Sequence, residues 1–132
     1  MSWKIDPSAA VPVSEQIAEL IRLAIASGRL RSGDRLESVR GFARELLVNP
    51  NTVAKVYRDL EREGVLDTRP GSGVFVAPGA TAKCRKAGAK AVREAVDAAV
   101  AKALAAGMST DEIEGLWREC TEMSGGLIHA KR

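Results

Sequence analysis

The stretch SVRGFARELLVNPNTVAKVYRDLEREG, residues 38–64, predicts two helices separated by a very short break. Ser38 suits the N-cap of the first helix, Asn49 suits the N-cap of the second, and Pro50 suits a first helical position. Gly64 is placed to end the second helix. The predicted inward positions of the first helix are Val39, Phe42, Ala43, Leu46 and Leu47, and those of the second are Val53, Val56, Tyr57 and Leu60. Two helices joined by so tight a turn are typical of a helix-turn-helix.

An amphipathic helix precedes this pair and a β-hairpin follows it. Apolar residues recur at helical spacing from Val13 to Ile25, and residues 28–34 contain two glycines that indicate a turn. After Gly64, two strand-like runs at 65–69 and 74–76 flank a Pro-Gly-Ser-Gly segment, which favours a hairpin. This order predicts a winged helix-turn-helix over residues 1–78, so the fold class is mainly α with a small β-hairpin.

The composition changes after Pro78, because 12 alanines lie between residues 80 and 106. Alanine favours helix, so a long helix is expected there. Ser109 and Glu112 form a capping box that begins a final helix, which the pair Gly125-Gly126 is predicted to end. We interpret residues 79–132 as a helical dimerisation or effector region.

The apolar faces of these two C-terminal helices are too large for so short a tail to cover. Pairing with a second copy in a helical bundle would bury them, so a homodimer is expected. The predicted dimerisation residues are Val92, Val96, Val100, Leu104, Ile113, Leu116, Trp117 and Cys120.

Composition excludes several other classes of function. Lys and Arg number 20 against 17 Asp and Glu, a net charge of +3 that permits nucleic-acid binding without requiring it. One histidine, His129, and two isolated cysteines, Cys84 and Cys120, indicate neither a metal site nor a catalytic constellation, so we expect no enzyme and no cofactor. The chain lacks a signal-peptide core and any long apolar run, which predicts a cytoplasmic protein without a membrane partner.

In a helix-turn-helix, the second helix reads bases in the major groove and needs short polar groups in its first turn. The second predicted helix of this pair begins with such groups. Asn51 and Thr52 supply donors and acceptors, Lys55 lies within reach of a base or a phosphate, and Arg58 reaches the backbone. Asn49 either joins them or acts only as a helix cap. Tyr57 either hydrogen-bonds a phosphate or belongs to the core. Other basic residues, such as Arg22, Arg44 and Arg62, are expected to be solvated surface.

The hairpin offers a second contact surface. Arg69 and the glycine-rich tip at Gly71 would lie along a minor groove, whose negative potential attracts arginine. Any tight hairpin would need such glycines, so they indicate a turn before they indicate a ligand.

Several motifs between residues 12 and 76 resemble those of a known protein family. The motifs at 12–17, 28–30, 33–36 and 38–40, with Val-Asn-Pro-Asn-Thr-Val at 48–53 and Gly-Ser-Gly-Val-Phe-Val at 71–76, are similar in order and spacing to the GntR family of transcription regulators. The resemblance implies double-stranded operator DNA as the partner, with contacts from Arg40, from residues 49–55, and from Arg69 and Gly71 at the wing. The short tail resembles the YtrA-type branch, which implies dimerisation and genes encoded beside membrane transporters.

Two alternatives stay open. The protein is a redox-responsive regulator or an interaction module if Cys84 forms an intersubunit disulfide, whereas Cys120 lies on an apolar helix face that suits a core. A small-molecule effector would bind between helices of the dimer. The basic run from Lys83 to Arg93 is either a solvated face, a set of phosphate contacts or an anion site.

Overall fold

A computed structural model of the protein describes the backbone of residues 3–130 and the side chains of residues 3–124. Seven elements follow one another along the chain. They are α1 (Val13–Ala26), α2 (Val39–Leu46), α3 (Pro50–Arg62), β1 (Leu66–Arg69), β2 (Gly73–Val76), α4 (Ala80–Ala105) and α5 (Thr110–Ala130).

The first three helices pack around one apolar core, as the sequence predicted. Each contributes the face that its spacing indicated, with Ile17, Ile21 and Ile25 from α1 fully enclosed. Helices α2 and α3 begin at their predicted caps: the Ser38 hydroxyl accepts a hydrogen bond from the Gly41 N–H at 3.0 Å. An ion pair joins the last turns of α1 to the end of α3, with one Arg22 guanidinium nitrogen (Nη2) 2.8 Å from both carboxylate oxygens of Glu63.

The turn between α2 and α3 corrects one prediction. Leu47 does not face inward: it is 91% exposed and has a left-handed backbone with φ of 58°. The N–H of Val48 reaches back to the Ala43 carbonyl at 3.0 Å, a bond that closes a helix only when the residue before the donor turns left-handed. The sharp reversal of the chain therefore places Leu47 in solvent.

The wing contains more than the predicted hairpin. β1 and β2 pair antiparallel, with Leu66 opposite Val76. The segment from Gly33 to Leu36, which begins inside the predicted turn at 28–34, lies along the other edge of β2. The Leu36 N–H donates to the Val74 carbonyl and the Val76 N–H to the Asp34 carbonyl, each at 2.8 Å. The outer edge of β2 is thus covered.

The chain divides into two compact units, one ending at Ala89 and the other beginning at Lys90. The first unit includes the start of α4, because Ala80 and Cys84 are buried in its core and Arg85 donates to the Ala26 carbonyl at 3.1 Å. From the change in composition, the sequence predicted a division at residue 78. In the structure, about three turns of α4 beyond that point still belong to the first unit.

The second unit consists of the rest of α4 and α5, joined by a turn at Gly107. The predicted capping box forms, with Ser109 and Glu112 exchanging two hydrogen bonds of 3.2 Å. Helix α5 does not end at Gly125-Gly126 as predicted but continues to Ala130, since glycine weakens a helix by only about 1 kcal/mol. In the described range, no helix is both long and apolar enough to span a bilayer.

Replacing Leu47 by glycine should stabilise the protein. Left-handed backbone costs a non-glycine residue about 1–2 kcal/mol, and the greater freedom of glycine in the unfolded chain offsets part of that gain. Leu47→Gly should therefore raise the free energy of unfolding by about 0.5–1 kcal/mol, measured by urea denaturation at fixed protein concentration.

The matched control is Leu23→Gly, because Leu23 is 52% exposed but lies in the right-handed helix α1. That variant should lose about 1 kcal/mol. Equal losses in both variants would contradict the strain assigned to Leu47.

Candidate nucleic-acid interface

Helix α3 presents one face to the core and the opposite face to solvent. Val53 and Leu60 are fully enclosed, whereas Asn51, Lys55 and Arg58 are exposed. Residues 51, 55 and 58 follow the 3.6-residue period, so they form one stripe along the outside of the helix. A major groove accepts a helix presented in this way.

The first turn of α3 has a fixed geometry. The Asn49 side-chain oxygen accepts a hydrogen bond from the Asn51 N–H at 2.8 Å, so Asn49 caps the helix while its amide group stays at an exposed position. Thr52 is half-buried beside it. The cap fixes the backbone from which the Asn51 side chain extends.

Helix α2 faces this first turn across an open groove of about 740 Å³. The residues lining it are Val39, Arg40, Arg44, Pro50, Asn51 and Ala54. The predicted contact residue Arg40 therefore lies beside Asn51, although the two belong to different helices. Within the part of the chain whose side chains are described, no ion pair involves Arg40 or Arg44.

The wing holds its arginine in place. The Arg69 guanidinium carbon lies 4.4 Å from the centre of the Phe75 ring, and the Asp67 carboxylate is 3.6 Å from Arg69 Nε. A cation over an aromatic face is favourable by about 0.5–1 kcal/mol at an exposed site. Gly71 lies at the exposed tip with φ of 78°, a left-handed conformation that suits glycine.

Tyr57, which the sequence left open between a phosphate contact and the core, lies in the core and outside the exposed stripe on α3. The side chain is 4% exposed, and its hydroxyl donates a 2.7 Å hydrogen bond to the Glu37 carbonyl. Burial raises the pKa of the Tyr57 hydroxyl, and the charges of Glu37 and Glu45 raise it further. Tyr57 therefore links α3 to Glu37, two residues before α2, and its hydroxyl is engaged within the protein.

The two cysteines differ in their exposure, and the difference bears on the predicted disulfide through Cys84. Cys84 is 3% exposed in the first unit, whereas Cys120 is exposed on α5. Burial raises the pKa of the Cys84 thiol, an effect that nearby Arg22 partly opposes. Because the thiolate is the reactive form and needs access to a partner, the structure gives no support to a disulfide through Cys84.

The predicted dimerisation residues lie in the second unit on its surface. Val96, Val100, Ile113 and Trp117 line a shared groove between α4 and α5. The others, Val92, Leu104, Leu116 and Cys120, are exposed. None of the side chains described between residues 90 and 124 is buried, so this part of the second unit encloses no core of its own.

Sequence reasoning missed three features of the interface. Arg44 is exposed, as expected of solvated surface, but its position in the groove beside Arg40 was not predicted. The four-residue spacing of these two arginines was the available signal, since it places both on one side of a helix. The stacking of Phe75 on Arg69 and the pairing of residues 33–36 with β2 depend on contacts that local patterns do not encode.

Comparisons with known proteins agree with this geometry. The family described as "Bacterial regulatory proteins, gntR family" matches residues 13–76. The HTH-type transcriptional repressor YtrA of Bacillus subtilis is 31% identical over 124 residues, 93% of this chain and 95% of that protein. A transcriptional regulator from Oenococcus oeni superposes with a TM-score of 0.73 and 29% identity over 88% of this chain and 96% of its own.

A third relative was solved with DNA. The structure of AraR(DBD) in complex with operator ORE1 matches 55% of this chain and 89% of its own, with a TM-score of 0.50 and 25% identity. The fold, the exposed stripe on α3 and these matches define a winged-helix DNA-binding transcriptional regulator. The chain belongs to the GntR family, and over nearly its whole length it is similar to the YtrA type of that family.

A Tyr57→Phe substitution should separate a core role from a DNA contact. Losing the hydroxyl leaves the Glu37 carbonyl without its partner, so the free energy of unfolding should fall by about 1–2 kcal/mol. The salt dependence of DNA binding, measured by fluorescence anisotropy, should not change. A reduced slope of log affinity against log salt with unaltered stability would instead place the hydroxyl on a phosphate.

Proposed function

We propose that the protein is a repressor that binds a pseudo-palindromic operator as a homodimer and blocks access of RNA polymerase. The observation that carries this proposal is the exposed polar stripe on α3, which sits beside an arginine-lined groove and a wing that displays Arg69. The similarity to a repressor of the YtrA type supports repression over activation.

Base reading is assigned to the first turns of α3. Asn51 is the leading candidate because an asparagine amide pairs with an adenine edge through two hydrogen bonds, and its side chain is exposed at the tip of the helix. Thr52 and Lys55 are the next candidates along the groove. Arg58, lying one turn beyond, is assigned to the DNA backbone, and Asn49 acts at least as the cap.

Dimerisation is assigned to α4 and α5. Two helices that bury none of the side chains described between residues 90 and 124 lack a core there to hold their fold, whereas a second copy would cover the same apolar faces. Val92 and Trp117 are 62% and 56% exposed, which is unusual for large apolar side chains that share a face with further apolar groups. A symmetric pair would present two α3 helices, with half-sites about 34 Å apart or a multiple of that distance.

The biological setting follows from the same resemblance. YtrA-type regulators suggest control of a transporter operon, and a regulator of chromosomal genes would work in the cytoplasm. A small effector between the helices of the dimer would relieve repression by changing the distance between the two α3 helices.

Asn51→Ala should weaken specific binding more than general binding. The loss of a bidentate base contact corresponds to about 1–3 kcal/mol, which is about tenfold to a hundredfold in affinity. The measurement is a fluorescence-anisotropy titration against a duplex from upstream of the protein's own gene and against a scrambled duplex. Affinity for the scrambled duplex should stay nearly constant.

Asn49→Ser is the matched control because it keeps an oxygen for the helix cap and removes the amide. If the whole contribution of Asn49 is capping, this variant should bind as the wild type does. Equal affinity of Asn51→Ala and wild type for both duplexes would refute the assignment of base reading to the start of α3.

Trp117→Glu should disrupt the dimer. A buried carboxylate without a partner costs several kcal/mol, so the dimer dissociation constant should rise by at least about a hundredfold. Sedimentation velocity across a concentration series would detect this change. Leu23→Glu serves as control, since Leu23 is 52% exposed on α1 in the first unit and should leave assembly intact. A Trp117→Glu protein that stays dimeric would place the interface elsewhere.

A further inference from the structure

We infer that the groove between α2 and the start of α3 holds the sugar-phosphate backbone of DNA and that Arg44 binds a phosphate there. The inference rests on the proposed operator binding. It extends the contact surface of α2 from Arg40, near the start of the helix, to Arg44 in its middle.

Helix α2 separates its charges by side. Phe42 and Leu46 are buried, and the two flanks beside this apolar face differ in chemistry. Arg40 and Arg44 are one helical turn apart, about 6 Å along the axis, on the flank that faces the groove. Glu45 lies on the other flank, towards Tyr57. An eight-residue helix therefore directs both of its positive charges towards the first turn of α3.

The groove itself has the composition that suits a phosphate. Its charged lining consists of Arg40 and Arg44, and no carboxylate contributes to it. Val39, Pro50 and Ala54 form a floor of small apolar groups that leaves the space between the helices open. A phosphodiester offers acceptor oxygens and a negative charge to the guanidinium groups, while its sugar packs on an apolar surface.

Among the described side chains, Arg44 also has no ion pair that would compete with a phosphate. Four ion pairs occur among the described side chains, involving Arg22, Arg62, Arg69 and Arg93, and none uses Arg44. Its nearest sequence neighbour of opposite charge, Glu45, occupies the other flank. The guanidinium can thus bind a phosphate without first breaking an ion pair within the chain.

Phosphate binding predicts a specific pattern in solution. Each phosphate neutralised contributes about 0.9 to the slope of log affinity against log salt, whatever the DNA sequence. Arg44→Gln removes the charge and keeps much of the side-chain length. Its slope should fall by about 0.9 for each DNA-binding unit engaged, with a loss of about fivefold to tenfold in affinity per unit near 0.1 M salt.

The experiment uses the full-length protein with the upstream duplex and the scrambled duplex, between about 50 and 200 mM salt. The loss should be the same on both duplexes, and Arg44→Lys should restore the slope because it restores the charge. Arg29→Gln is the control, because it removes an exposed positive charge just beyond α1. The Arg22–Glu63 pair joins that part of α1 to the C-terminal end of α3, the end opposite the groove. Circular dichroism verifies that each variant is folded.

The outcomes separate this inference from the proposed function. If the wild type binds with a salt-dependent affinity and Arg44→Gln has the same slope, Arg44 is solvated surface and the inference fails alone. If Arg44→Gln loses affinity only for the upstream duplex, Arg44 reads a base and the phosphate assignment fails. A wild type whose binding to both duplexes is insensitive to salt overturns operator binding and this inference together.

Discussion

The burial of one face of α3 is the constraint on which the other features of the first unit depend. Val53, Val56 and Leu60 pack into the core formed with α1 and α2, and the helical period then leaves Asn51 and Lys55 on the outside. Hydrophobic packing and the exposed polar stripe to which we assign base reading are thus two consequences of the same amphipathic pattern. The caps and the Arg22–Glu63 pair fix the ends of the helix, so its rotation about its own axis is set from both ends.

The position of the wing follows from the same helix. The chain leaves α3 through a hydrogen bond from the Val65 N–H to the Leu60 carbonyl, and the Thr68 hydroxyl donates to Glu61 at 2.7 Å. On its opposite side, β2 is paired with residues 33–36, which lead directly into the cap of α2. Two-stranded hairpins are only marginally stable alone. Attachment along both sides explains how so short a hairpin can hold Arg69 in one place.

Local chemistry determined how far the sequence could be understood. Helix starts at Ser38, Asn49 and Ser109 were predictable because a cap bonds to backbone groups two or three residues away. The burial of Cys84 and the strand pairing of residues 33–36 were not, because both depend on partners distant in the chain. The left-handed Leu47 shows a third case, in which packing of two helices imposes a backbone conformation that the residue itself disfavours.

The two units solve different physical problems. The first encloses a core that includes residues from α1, α2, α3 and the wing, so its fold needs no second copy. The second has apolar side chains but encloses none of those described. In the proposed homodimer its stability would depend on association and hence on protein concentration. For a DNA-binding protein this separation is useful. The first unit of a single chain would make only a limited number of phosphate and base contacts. In the proposed homodimer the second copy would bind intramolecularly once the first is bound, which would raise the affinity for a paired site far above that for a single one. In the proposed homodimer, specificity for a two-fold operator would depend on the α4–α5 unit as much as on the residues of α3 to which we assign base reading.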